Sequence, residues 1–193
     1  MGVPICLFAY GTEGLGVASA IASVIILYHF TIGVLLAKKS FSLDILVKNV
    51  PIYGIIIAVL FLYFEWEVPG FIENTTFLLT YTTIFLVLMS LGVALSKLKV
   101  FAVKETLIYS FIRVIIGPII GLAFVKFFNL SGVEAGVMFI QASMPSAVLT
   151  FLISEIYSPK KISNSIASTV ALSTFMSFFT LIVVVFIALK YFN

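Results

Sequence analysis

Residues 162 to 189 carry no charged side chain and are built mostly from Ile, Val, Leu, Phe, Ala, Ser and Thr. A run of that length and oiliness constrains the fold more than any other feature. A hydrocarbon core of ~30 Å is crossed by ~20 helical residues, and inside it each backbone N–H and C=O must find its partner within the protein. Five further stretches repeat the pattern, so six helices are predicted at about 14–37, 49–66, 74–96, 106–128, 133–157 and 162–190. Ahead of them "MGVPICLFAY" is apolar but only about half a membrane thick, a stub rather than a span. With 62% hydrophobic and 10% charged residues, the chain has too little polar surface to coat a water-soluble globule. The expected fold class is an all-α integral membrane protein with six transmembrane helices plus an N-terminal half-helix.

The charges sort themselves by loop. Lys38, Lys39 and Lys48 follow helix one, Lys97, Lys99 and Lys104 follow helix three, and Lys160 and Lys161 follow helix five. The alternate loops hold Glu13, then Glu65, Glu67 and Glu73, then Lys126 against Glu134. Cytoplasmic loops are enriched in Lys and Arg, so a multi-pass protein of the cell membrane is expected, its C-terminus extracytoplasmic. Tyr63, Trp66, Phe71 and Tyr191 fall where an interfacial aromatic belt belongs. The net charge of +3 thus reflects loops facing a lipid bilayer, not a nucleic-acid patch. One cysteine, Cys6, excludes an internal disulfide and any Cys-rich metal site. No lysine or arginine precedes Lys38, so the start fits neither a secretory signal nor a transit peptide.

The chain also repeats itself. Setting Pro4 on Pro145 brings "PICLFAYGTEG" beside "PSAVLTFLISEIY", each with a proline, an apolar stretch and then Glu13 or Glu155. "AIAS" at 20–23 likewise pairs with "SIAS" at 165–168. Because Glu13 and Glu155 are predicted on opposite sides, the units are inverted, the plan of secondary transporters whose broken helices meet at the midplane.

The middle of helix five, "QASMPSAVLTF", is the candidate site. Pro145 has no N–H to give the carbonyl of Gln141, and no water in hydrocarbon repairs the loss. The freed Gln141 carbonyl, its side-chain amide and the Ser143 and Ser146 hydroxyls would converge there. Half-helix N-termini suit a carboxylate, and carbonyl ends suit a cation or a hydrogen-bond donor. The competing reading is a plain proline kink whose freed groups bond to neighbouring helices.

Helix six places Ser165, Thr169, Ser173 and Ser177 at i, i+4 steps, with Thr180 three further on. Close packing of small residues explains most of these positions. Ser173 and Thr174, level with the helix middle, are the two candidates for ligand contact. His29, in helix one, fits either a proton relay or, the commoner role, a neutral hydrogen bond between helices. Arg113 reaches the headgroups by snorkelling, with attraction of an anionic substrate the less favoured role. Glu155 is expected to pair with Lys160 or Lys161. One His, one Cys, no aspartate within a span and no Gly-rich phosphate loop leave no set of residues for enzymatic catalysis, and no cofactor or metal is expected.

"QASMPSAVLTFLISEIY", followed by "NSIASTVALSTFMSFFTL", resembles the last two helices of auxin efflux carrier family transporters. That family includes plant auxin exporters and prokaryotic malonate or malate carriers. "MGVPICLFAYGTEGLGVA" resembles the family's fourth helix and the turn into its fifth. The resemblance implies a ten-helix protein of two inverted five-helix repeats, with the fold of bile acid sodium symporters. In that fold the fourth and ninth helices break at prolines and cross around a substrate anion. It makes Pro4 and Pro145 the crossover prolines and places Gln141 in the substrate site. Residues 1–37 would then be the remnant of the first repeat and 38–193 the second, with its broken helix at 133–157. The family's fourth helix carries an asparagine before its proline, and Met1 falls inside that motif, so an incomplete chain is expected. A second copy or a partner chain would then supply the missing helices. The expected function is secondary transport of small organic anions such as a carboxylate. The alternative is a non-transporting membrane subunit that packs with a partner.

Overall fold

The computed structural model describes residues 2–38, 50–97 and 103–192. The described residues form helices and connecting turns, with no strand among them. In chain order these are α1 (Gly2–Tyr28), a π-helical segment (His29–Gly33), α2 (Val34–Lys38), α3 (Val50–Tyr63), α4 (Gly70–Lys97), α5 (Val103–Phe127), α6 (Gly132–Ala142), α7 (Val148–Tyr157) and α8 (Lys160–Tyr191). Lys39, Lys48 and Lys99, which anchor the expected cytoplasmic loops, lie outside the described residues.

Among the described residues, three helical stretches are long and apolar enough to cross a membrane: Gly2–Ala37, Lys104–Phe127 and Lys160–Tyr191. The third, with 32 residues, is about 48 Å long at ~1.5 Å per residue, well beyond a ~30 Å core. α6 and α7, with 11 and 10 residues, are each too short to cross alone. They are the two halves of the predicted fifth helix, interrupted where Pro145 required it.

The predicted stub and the first span join into one kinked rod. At Gly11 the backbone takes φ 65° and ψ −150°, a region open essentially to glycine alone. The kink folds the chain back so tightly that a Cβ on Gly14 would lie 2.6 Å from the Cys6 carbonyl oxygen. Further along, the Val34 N–H reaches the carbonyl of His29, five residues back, which widens the turn between α1 and α2.

Burial follows the logic of lipid rather than water. On α8, Ser173, Thr174 and Ser177 are buried, while Phe175, Phe178, Phe179, Ile182 and Phe186 stand exposed. Lipid tails are as apolar as phenylalanine, so burying such rings gains little and small residues take the helix contacts instead. Central to the packing is α6, which meets α1, α5 and α8. Val137, Phe139 and Ile140 on α6 form the core with Cys6 and Ala18 of α1 and Val184 and Ala188 of α8.

Glycines set the closest approaches. On α5, a Cβ at Gly117 would come within 2.6 Å of the Ala142 carbonyl oxygen, and one at Gly121 within 2.8 Å of the Ala142 Cβ. This Gly-x-x-x-Gly pair seats α5 directly on the end of α6.

Candidate functional site

The interruption between α6 and α7 covers Ser143 to Ala147, and its backbone groups are handled one by one. The Ser143 N–H donates to the carbonyls of Phe139 and Ile140, each at 3.1 Å, and the Met144 N–H to that of Gln141 at 3.3 Å. The Gln141 carbonyl is therefore occupied, where the sequence led us to expect it free. Local turn geometry supplies the donor: a tight turn at the end of α6 aims the Met144 N–H at the group that proline orphaned. Beyond the proline, the Ser146 N–H donates to the Ser173 hydroxyl of α8 at 3.3 Å, and that hydroxyl donates to the Val170 carbonyl at 3.2 Å. No side chain caps the N-terminus of α7. Its first amides, with their partial positive charge, point along the helix axis toward the break.

A cavity of about 1080 Å³ opens at this point. Gln141, Pro145, Ser146 and the first turn of α7 from Ala147 to Thr150 form one wall. Gly2 and Val3 approach from the start of α1, Ile25 and Ile26 from its far end and His29 from the π-helical segment that follows. Tyr109 and Arg113 of α5, Thr83 and Leu86 of α4, and Ser165, Thr169 and Thr174 of α8 complete it. No aspartate or glutamate is among the described residues that line it, and Arg113 brings a permanent positive charge.

Of the residues singled out from the sequence, Gln141, Pro145, Ser146 and Thr174 meet in this cavity. Gln141 also ties α6 to α1, its Nε2 donating to the Ala18 carbonyl at 3.2 Å. Ser143, Pro4 and Ser173 lie outside the lining. The Ser143 hydroxyl is buried and donates to the Phe139 carbonyl at 2.7 Å, and Ser173 holds the Ser146 amide. Pro4 is buried two residues beyond Gly2, whose missing side chain leaves room for Gln141: a Cβ there would fall 2.1 Å from Gln141 Oε1. The start of α1 thus touches the break in α6 and α7.

Several lining groups were given other roles by the sequence. Arg113 was assigned to the headgroups, yet it lines the cavity. The signal for it was its isolation, as no other charged residue occurs from 106 to 125 and a lone charge in an apolar helix marks a pathway. His29 makes the inter-helix hydrogen bond expected of it, its Nε2 lying 3.1 Å from Thr150 Oγ1, and it faces the cavity as well. The hydroxyl stripe of α8 divides. Thr169, Ser173, Ser177 and Thr180 each bond to a carbonyl of their own helix, while Ser165, Thr169 and Thr174 reach the cavity. Glu155 accepts a hydrogen bond from the Ser163 hydroxyl, and among the described residues it forms no ion pair with Lys160 or Lys161.

A membrane-embedded helical protein whose broken helix opens onto a largely apolar cavity with a few polar groups at the break fits the class of membrane transporters. Residues 34–187 match the family model described as membrane transport protein, and the chain belongs to that family, the auxin efflux carrier family. It is also 29% identical over 187 residues to an uncharacterized transporter of Methanocaldococcus jannaschii, covering 90% of this chain. The chain spans 60% of the length of that curated relative. No solved structure matches it.

Proposed function

We propose that this chain is the substrate-binding part of a secondary carrier for small organic anions, built on two inverted repeats whose broken helices cross at Pro4 and Pro145. The observation that carries the reading is the character of the cavity at the break. It combines the uncapped N-terminus of α7, the Gln141 amide and the Arg113 guanidinium, with no carboxylate among its described lining residues. Such a set stabilises negative charge at a depth where an unpaired anion would otherwise be strongly disfavoured. Apolar walls from Ile25, Ile26, Leu149, Leu152 and Val170 fit the carbon body of the same molecule. In this reading residues 1–37 belong to the first repeat and 38–193 to the second, and transport proceeds by an elevator-like or rocking movement of the crossed helices. The anion-binding residues are Gln141, Ser146, Arg113 and Thr174, with Pro145 and Pro4 shaping the crossing and Ser143 and Ser173 holding the backbone around it.

The test is saturable binding of malonate or indole-3-acetate by the purified chain in lipid nanodiscs, measured by calorimetry, followed by uptake of the radiolabelled anion into proteoliposomes. Binding that Gln141→Ala and Arg113→Gln both weaken supports the assignment. An affinity for neither anion at millimolar concentration removes the basis for it.

A further inference from the structure

The chain contains a single histidine, and the fold puts it in the cavity wall. His29 Nδ1 lies 2.8 Å from the Ile25 carbonyl oxygen of its own helix. A carbonyl only accepts, so Nδ1 carries a proton. In the neutral ring Nε2 is then bare and accepts from the Thr150 hydroxyl at 3.1 Å. Thr150 sits in the first turn of α7, the helix whose N-terminus faces the break. His29 also begins the π-helical segment, and both that segment and α2 pack against α7. One imidazole therefore joins the arm formed by α1 and α2 to the half-helix that borders the anion site.

The charges around the ring decide what it can do. On its own rod, Tyr28 makes an edge contact, with ring centroids 6.5 Å apart, and Glu13 lies close to the Gly11 kink. Across the cavity α5 offers Tyr109 and Arg113, while α4 and α8 offer only hydroxyls and apolar groups. The acid of α7, Glu155, is held by Ser163. Lys38 ends α2. Among the described lining residues no protein carboxylate stands ready to balance an imidazolium, and Arg113 opposes it.

We propose that His29 is the proton-binding site of this carrier, and that its second proton enters together with the anion. This rests on the anion-site reading above. A bound carboxylate supplies the missing counter-charge, Nε2 takes a proton from the aqueous side of the cavity, and the bond to Thr150 reverses, with Nε2 donating to the hydroxyl oxygen. By linkage, the proton must strengthen anion binding as much as the anion strengthens proton binding. The loaded site then carries one proton per anion.

Because there is one histidine, protein grown on ¹⁵N-histidine gives one pair of ring-nitrogen resonances in bilayers. We expect the neutral pattern at pH 7.5 without ligand, and both nitrogens protonated once malonate saturates. One coupled proton also makes malonate affinity rise as pH falls, by up to about tenfold per unit, a slope that His29→Gln should flatten. The resonances are read on the wild-type chain, so they stand even if that variant folds poorly. Malonate binding with unchanged resonances and a flat pH slope would overturn the proton site and leave the anion site standing. Absence of binding by both malonate and indole-3-acetate would overturn both.

Discussion

The side-chain amide of Gln141 donates across 3.2 Å to the backbone carbonyl of Ala18, so the C-terminal end of α6 is tied to α1 at the point where its helix stops. The N-terminal end of α7 is tied to the same rod by His29 and Thr150, 3.1 Å apart. Each half of the broken helix thus has its own polar link to α1. Between those links lies the cavity. Movement of α1 against the α6–α7 pair would therefore change the shape of the cavity as the two links are strained or exchanged.

Gln141→Ala removes the first link and a cavity-facing donor together. A hydrogen bond to a charged group contributes about 1.5–3 kcal/mol, so malonate affinity is expected to fall by about tenfold or more. Calorimetry on matched, monodisperse samples checks this. Pro145→Ala should act differently, by letting the helical ladder close through the break and fill the space beside α7. Transport by that variant at the wild-type rate and equal protein level would mean that the break is a kink without a binding role.

Gly117 and Gly121 make a prediction about stability. A side chain at Gly117 meets a backbone oxygen at 2.6 Å, and backbone cannot swing aside. Gly117→Val should therefore lose about 1–3 kcal/mol, the ordinary range for overpacking, and lower the apparent melting temperature of the detergent-solubilised chain. Gly16 has nothing within 4 Å of where its Cβ would stand, and Gly16→Ala serves as the control that leaves melting unchanged or raised.

The distribution of lysines predicts the sidedness of the protein. The loop from Glu65 to Glu73 and the C-terminus are expected on the extracytoplasmic side, with Lys38, Lys97 and Lys160 on the cytoplasmic side. Tyr63, Trp66, Phe71 and Tyr191 are all exposed close to helix ends, where headgroup-level rings belong. Fusions of a compartment-sensitive reporter after Lys39, Glu67, Lys99 and Asn193 should alternate in signal. Two successive positions reporting one side would overturn the topology.

Much of this was legible from residue order because the strongest local signals agree with the global fold. Apolar length marked α5 and α8, and Pro145 marked the gap between α6 and α7 to within a few residues. What the sequence hid is which groups the gap leaves free. The Gln141 carbonyl looked orphaned, but the Met144 N–H occupies it, a choice made by one local turn that no pattern of residue types encodes. Ser173 looked like a ligand contact and instead caps Ser146, since only the tertiary distance between α7 and α8 distinguishes those roles. Arg113 was legible as unusual but not as cavity-facing. A long side chain at that depth can snorkel or turn inward, and neighbouring helices decide between them.

Arg113 therefore supports the most discriminating prediction. Arg113 lines a cavity with no carboxylate among its described lining residues, so if an anion binds, Arg113 is the one permanent charge among those residues that can meet it. Arg113→Gln leaves a shorter polar side chain and removes the charge, and it should weaken malonate binding by about tenfold to a hundredfold, in line with one charge-assisted hydrogen bond. Arg113→Lys keeps the charge and loses the planar fork, so it should recover part of that affinity and not all. If Arg113 instead reaches only the headgroups, Gln and Lys variants should bind malonate as the wild type does, and the loss should appear in reconstitution yield or dependence on anionic lipid. Measuring malonate affinity for the three proteins in nanodiscs with and without anionic lipid separates the two: a lipid-independent ranking of Arg above Lys above Gln places the charge at the substrate, and equal affinities place it at the membrane surface.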